Sequence, residues 1–207
     1  AYNVAVGSSA GGAVTTGTLN TLIGGLAGDA LTSGNNNTAV GYLALSADTL
    51  GDRNTAIGNS ALAAQNFTTT TDSYNTAVGF TAGASITTGV QNTLIGVFAG
   101  DALTDSDFNV AVGYDALSAE TLGARNVAVG HEALASQNST TATTTYNTAV
   151  GMNAGRLVTT GVQNTLIGAL AGDALTTGQQ NTVLGYGALT SDTTGITTVA
   201  IGRAALE

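Results

Sequence analysis

Asn37-Thr38-Ala39-Val40-Gly41-Tyr42-Leu43-Ala44-Leu45 is followed by Asn54-Thr55-Ala56-Ile57-Gly58-Asn59-Ser60-Ala61-Leu62, the same phrase with three changes. Outward from this pair the phrase recurs through the whole chain. It begins at Asn3, Asn20, Asn37, Asn54, Asn75, Asn92, Asn109, Asn126, Asn147, Asn164, Asn181 and, with Thr for Asn, at Thr198. Successive starts are seventeen positions apart, except for two gaps of twenty-one, from Asn54 to Asn75 and from Asn126 to Asn147. A fixed period of this size marks a solenoid, in which one unit cannot bury its apolar face alone and stacked neighbours supply the core. Gly in every unit and pairs of β-branched residues argue against helix. The expected fold class is therefore all-β, a parallel β-solenoid of about twelve coils. At about 4.8 Å per coil it predicts a rod of roughly 55–60 Å.

Each coil can be numbered from its Asn. The fourth position is Val, Ile or Leu throughout, from Val6 to Ile201, and the second is Thr or Val. Side chains two apart share one face of a strand, and β-branched residues suit strands, so these rows read as the coil's aliphatic interior. The third position faces the other way and is also apolar everywhere, from Ala5 to Ala200. A strand apolar on both faces is expected to be buried on both. The third row is thus expected to meet another chain, with Leu22, Leu94, Leu166 and Val183 as the chain–chain interface. The fifth position is always Gly, which supplies a positive φ or a close backbone approach at a corner. The eighth is always Ala, which implies a tight inner corner. A Thr-x-Gly segment near position thirteen reads as a second turn, so each coil is expected to hold two short strands and two turns.

A slower beat overlies the coils. Position nine runs Gly, Gly, Leu, Leu three times, from Gly11, Gly28, Leu45 and Leu62 to Gly155, Gly172, Leu189 and Leu206. This makes a four-coil super-repeat over 3–74, 75–146 and 147–207, the last incomplete. Residues 1–207 read as a single array, a segment of a longer fibre, with Ala1-Tyr2 as the tail of a preceding coil. The two long coils are expected to eject Thr-rich loops, where Phe67, Thr69, Thr70, Thr141 and Thr143 are candidate contacts. Position six varies, which suggests exposure, and Tyr42, Phe80, Tyr114 and Tyr186 form a candidate contact strip. Exposed aromatic rings can stack on sugars or receptor surfaces; tolerance of scattered exposed apolar residues is the plainer alternative.

Charged residues are 8% of the chain, against a usual share of about 25%. So few charges suggest that much of the surface is covered. There is no Lys, Arg53, Arg125, Arg156 and Arg203 are the only strong cations, and the net charge of −9 argues against a nucleic-acid partner. No apolar run reaches the roughly 20 residues of a membrane-spanning helix, so this segment is not expected to insert in a bilayer. Cysteine is absent, which rules out a disulfide framework.

Asn109-Val110-Ala111-Val112-Gly113 and Thr198-Val199-Ala200-Ile201-Gly202 resemble the Ser-Val-Ala-Ile-Gly signature of the head domain of trimeric autotransporter adhesins. The Asn37 to Leu45 version is similar to repeats of phage tail fibres and large bacterial surface proteins. The resemblance covers essentially the whole chain. It implies a left-handed parallel β-roll, three chains packed around a common axis, and an extracellular place on a cell surface or virion. Coils of that family are commonly shorter than those here.

The remaining motifs have plain readings. The Asn ladder is expected to be an internal amide stack that satisfies turn backbone groups. The Thr row at position two could order water or ice, but Val4, Val110, Val127 and Val199 interrupt it as an interior position would permit. Asp29, Asp101 and Asp173 recur one per four coils, far from the six to eight converging oxygens calcium needs, and read as turn caps. His131, Ser136 and Asp115 occupy variable positions without a nucleophile motif. No catalytic residue, cofactor or metal ligand is expected. The expected function is a structural or adhesive fibre segment touching a host glycan or receptor. A filament subunit joined through open coil edges and a glycan- or ice-binding solenoid are the alternatives.

Overall fold

The computed structural model describes residues 2–207; Ala1 lies outside them. Among the described residues there is no helix, and twelve three-residue strands form one parallel sheet in chain order. The strands occupy positions two to four of every coil, from Val4–Val6 to Val199–Ile201. Their register is strict: Thr38 pairs with Thr55, Ala39 with Ala56 and Val40 with Ile57, and each later coil repeats this. The molecule is a parallel β-solenoid.

The expected second strand is largely absent. In its place the chain runs in stacked turns, with one isolated parallel bridge, Gln179 to Ile196, and short parallel pairs at the long coils. These are Gly51–Asp52 with Thr71–Asp72, and Gly123–Ala124 with Thr143–Thr144. The cause lies in the backbone. Residues at positions seven and seventeen, and Gly or Leu at nine, have φ near +50° to +70° in coil after coil, as at Leu43, Leu45 and Arg53. Left-handed residues this frequent prevent an extended strand. The coil still satisfies itself, because turn N–H groups bond between coils as strand N–H groups do. Leu43 N–H donates to Gly25 O at 3.1 Å, and Leu45 N–H to Ala61 O at 3.0 Å. Hydroxyls of the Thr row at position thirteen add a ladder, for example Thr32 Oγ1 to Thr49 O at 3.1 Å. The corner glycines behave as expected: at Gly58, φ is +136° and a Cβ would fall 2.1 Å from Gly79 O.

The faces of the sheet are the reverse of the expectation. Position three points into the coil, and Leu22, Leu94, Leu166 and Val183 are fully buried within a single chain. They are core residues and not a chain–chain interface. Position four points outward, leaving Ile23, Ile57, Ile95 and Ile167 each about 38–39% exposed. One side of the coil closes over a narrow interior, and positions three, eight, nine and twelve fill it. The fixed small residue at eight and the Ala or Leu at three record that narrowness. The β-branched residues at two and four suit the pleated outer surface.

The slow beat has a physical origin in this interior. Where position three is Leu, position nine is Gly: a Cβ on Gly100 would lie 2.8 Å from Leu94 Cδ2 and 2.7 Å from Leu103 Cδ1. In the coil before, Gly83 gives room to the same leucine, whose Cδ1 stands 2.7 Å from where its Cβ would be. In the next two coils position three is Ala, in Ala111 and Ala128, and Leu117 and Leu134 at position nine fill the space instead. Neighbouring residues on opposite faces provide the test. Leu94→Ala should cost about 2–5 kcal/mol by leaving a cavity, and Ile95→Ala under about 1 kcal/mol, read from denaturant unfolding of the dissociated chain at low concentration, followed by circular dichroism. The opposite ranking would overturn the assignment of faces.

Candidate interaction surface

The Asn ladder is internal. At each of the eleven steps the Asn Oδ1 accepts the backbone N–H of the next coil's first residue at 2.9–3.2 Å. In nine coils its Nδ2 also donates to the carbonyl at position fifteen of its own coil, as Asn20 does to Gly34 O at 2.7 Å. The amides are consumed and present nothing outward.

At the long coils the interior turns polar, which the sequence reading did not anticipate. Gln65 Nε2 donates to Asp48 Oδ2 at 2.6 Å, and Gln65 Oε1 accepts from Asn75 Nδ2 at 2.9 Å. Glu120, Gln137 and Asn147 repeat this in the next super-repeat, at 2.7 and 2.9 Å. The other carboxylate oxygen holds the turn: Glu120 Oε1 accepts the N–H groups of Thr121, Leu122, Gly123 and Ser139. Asp48, Gln65, Glu120 and Gln137 are fully buried, so no substrate reaches these carboxylates. Their signal was in the sequence. Position twelve is aliphatic where position nine is Gly (Leu31, Leu103) and polar where it is Leu (Asp48, Glu120).

The candidate strip at position six is exposed at Tyr42, Phe80, Tyr114 and Tyr186. Around Phe80 and Tyr114 it is continuous. Phe98, from position seven, meets Phe80 edge-on at 5.6 Å and Tyr114 at 6.0 Å, and His131 stacks on Tyr114 at 5.2 Å. His131 makes no side-chain hydrogen bond to Ser136 or Asp115; its charged neighbour is Glu132, with Oε1 at 3.9 Å. Of the loop candidates, Thr69, Thr70, Thr141 and Thr143 are exposed. Phe67 is not: it is 6% exposed. Its N–H donates to Asp48 Oδ1 at 3.4 Å and its carbonyl accepts from Thr49 Oγ1 at 3.0 Å, which fold the loop back onto the coil.

The outer sheet face is a uniform surface running the length of the rod. Positions two and four put a Thr/Val row and a Val/Ile/Leu row side by side along all twelve coils, without one charged residue in either. The Thr row, expected inside because valines interrupt it, lies on this outer face. Contiguous exposed apolar surface of this extent is uncommon on monomers and marks interaction sites. No family model, curated protein or solved structure matches the chain.

Three carboxyls are displaced upward. Burial raises Asp48, against the Gln65 amide and the N–H groups of Gly51, Phe67 and Leu50. Burial also raises Asp101, aided by the charge of Asp115, and raises Asp173, opposed by Arg156. A carboxyl whose folded pKa exceeds its unfolded value keeps its proton better when folded. That stabilisation is complete below the unfolded value, about 4, and is lost as pH rises through the raised folded value. Asp48→Asn removes one such group and should flatten the fall of thermal midpoint as pH rises above about 4. Melts of the two proteins with equal slopes would contradict this account of Asp48.

Proposed function

We propose that the chain is a rigid rod segment of an extracellular fibre, held side by side with copies of itself through the outer sheet face. One observation carries the reading: an acidic protein of net charge −9 keeps every charge off two adjacent rows running the length of the rod. Like-charged rods meeting there bring no charged side chains into contact, and sheets pack through such faces about 10 Å apart. Eleven steps of about 4.8 Å by three strand residues of about 3.3 Å give a flat face of roughly 520 Å² a side, and the position-six side chains beyond the corner extend it towards the roughly 800 Å² per partner of a standard interface. The aromatic residues at position six would form its rim, where they are commonly enriched. Three copies facing a common axis is the arrangement implied by the resemblance to adhesin heads, and the parallel register lets every coil make the same contact. The role is mechanical: coil-to-coil hydrogen bonds give stiffness, and the exposed loop threonines offer a surface for a host glycan or receptor.

Sedimentation equilibrium tests the association. A species of three chain masses is expected, and Ile95→Glu with Ile167→Glu should return monomer with an unchanged circular dichroism spectrum. Two chain masses would keep the face and overturn the trimer; monomer at high micromolar concentration would overturn the association.

A second reading uses the same face. Thr21, Thr38, Thr55, Thr76 and Thr93 stand in register on adjacent strands, outward, beside an aliphatic row, which suits ordered water at an ice surface. Thermal hysteresis by a monomeric chain would favour ice binding, and ordinary freezing removes it.

A further inference from the structure

The same place on the rod is built twice, in successive super-repeats, and only once is it closed. In the first copy, the Arg53 guanidinium forms an ion pair with Asp72 and stands 5.5 Å from the Tyr74 ring. Asp52 beside it accepts from Asn35, at 2.6 Å from the N–H and 3.3 Å from Nδ2. In the second copy the backbone pairing has the same register, with Gly123 to Thr143 and Ala124 to Thr144. Both carboxylates are gone: Ala124 stands for Asp52 and Thr144 for Asp72.

The guanidinium remains. Arg125 lies 5.0 Å from the ring of Phe108 and 5.9 Å from that of Tyr146. Its Nη1 donates to Thr144 Oγ1 at 3.3 Å, and among the described residues it has no carboxylate partner. A groove of about 260 Å³ opens here, lined by Arg125, Thr143 and Thr144 together with Phe108, Asp105 and Asp107. Those aspartates are half used: Asp105 Oδ1 accepts from Thr88 Oγ1, and Asp107 Oδ1 from Val90 N–H at 2.8 Å. Each keeps a second oxygen for another donor.

We propose that this groove binds a sugar acid, whose carboxylate takes the place at Arg125 that Asp72 takes at Arg53. A planar guanidinium fork held between two rings is suited to a carboxylate and loses little freedom on binding it. Asp105 and Asp107 disfavour a second negative group and accept ring hydroxyls, so the ligand is anionic at one end and a hydrogen-bond donor at the other. Phe108 supplies an apolar wall for the C–H face of a ring. The volume lies below the roughly 300–1,000 Å³ of sites for drug-sized ligands, which suits one pyranose.

Titration calorimetry of the full chain with glucuronate, and with glucose as the uncharged control, decides the matter. Glucuronate should bind with one site per chain and glucose at least about tenfold more weakly, the lost charge-assisted pair setting the difference. Thr144→Asp should abolish binding by supplying the carboxylate internally, and Arg125→Gln should weaken it at least about tenfold, both with unchanged circular dichroism. Equal binding of glucose, no binding of glucuronate, or binding untouched by Arg125→Gln would each overturn the proposal.

Discussion

The Asn amide at the head of each coil is the contact on which the architecture depends. Its Nδ2 closes the coil on itself at position fifteen, and its Oδ1 ties that coil to the next at a fixed step. One side chain thus sets both the circumference and the rise, which is why the repeat length is held so strictly. The two exceptions show what the constraint demands. Asn54 and Asn126, heading the long coils, have no closing bond to a position-fifteen carbonyl; their Nδ2 groups turn to the preceding ladder oxygens at 3.2 Å. The inserted segments add donors on the other side of the same amides, with Ser73 Oγ donating to Asn54 Oδ1 at 2.9 Å and Thr145 Oγ1 to Asn126 Oδ1 at 2.7 Å. Gln65 and Gln137 reach the following Asn through the interior. A buried amide left short of partners costs about 1–3 kcal/mol, so four extra residues require a polar interior around them.

That requirement links the two slow features of the chain. A coil with Leu at position three and Gly at nine has a dry interior and an aliphatic residue at twelve. A coil with Ala at three and Leu at nine has its apolar volume shifted to one side, and position twelve is free to carry Asp, Glu or Gln. The four-coil period is therefore the distance over which volume and polarity both return to register. Close-packed interiors feel changes of a single methylene, so this alternation is a packing necessity as well as a trace of duplication.

The period, fold class, corner glycines and amide ladder were legible because each is fixed by backbone geometry, which acts on every coil alike. Which face turned inward was not. Invariance at positions two and four suggests burial, whereas it reflects strand propensity on an outer surface. The one-residue parity of a strand makes such an error exchange the entire core for the entire surface. The correct signal was the compensation between positions three and nine, visible at Leu22 with Gly28 and Ala39 with Leu45. The missing second strand was harder to foresee. Its left-handed residues include Leu43, Phe98 and Glu132, types that do not favour that conformation and are held there by stacking alone.

Reversing the faces changes what can be asked of the surface. With the aliphatic row inside a coil, the third-position row was the face expected to meet another chain; with the faces reversed, the low-charge outer face is the Thr/Val row beside the Val/Ile/Leu row. The repeat also becomes a control for itself. Because the backbone is reproduced so closely from one super-repeat to the next, a local departure stands out against an identical frame. At Arg53 the guanidinium is neutralised within the chain, and at Arg125 the surrounding carboxylates are exchanged for Ala124 and Thr144 while Phe108 is added. Retaining the cation, placing it between two rings and opening space before it is the pattern of a group aimed outward, and it arises where the long-coil insertion already interrupts the ladder.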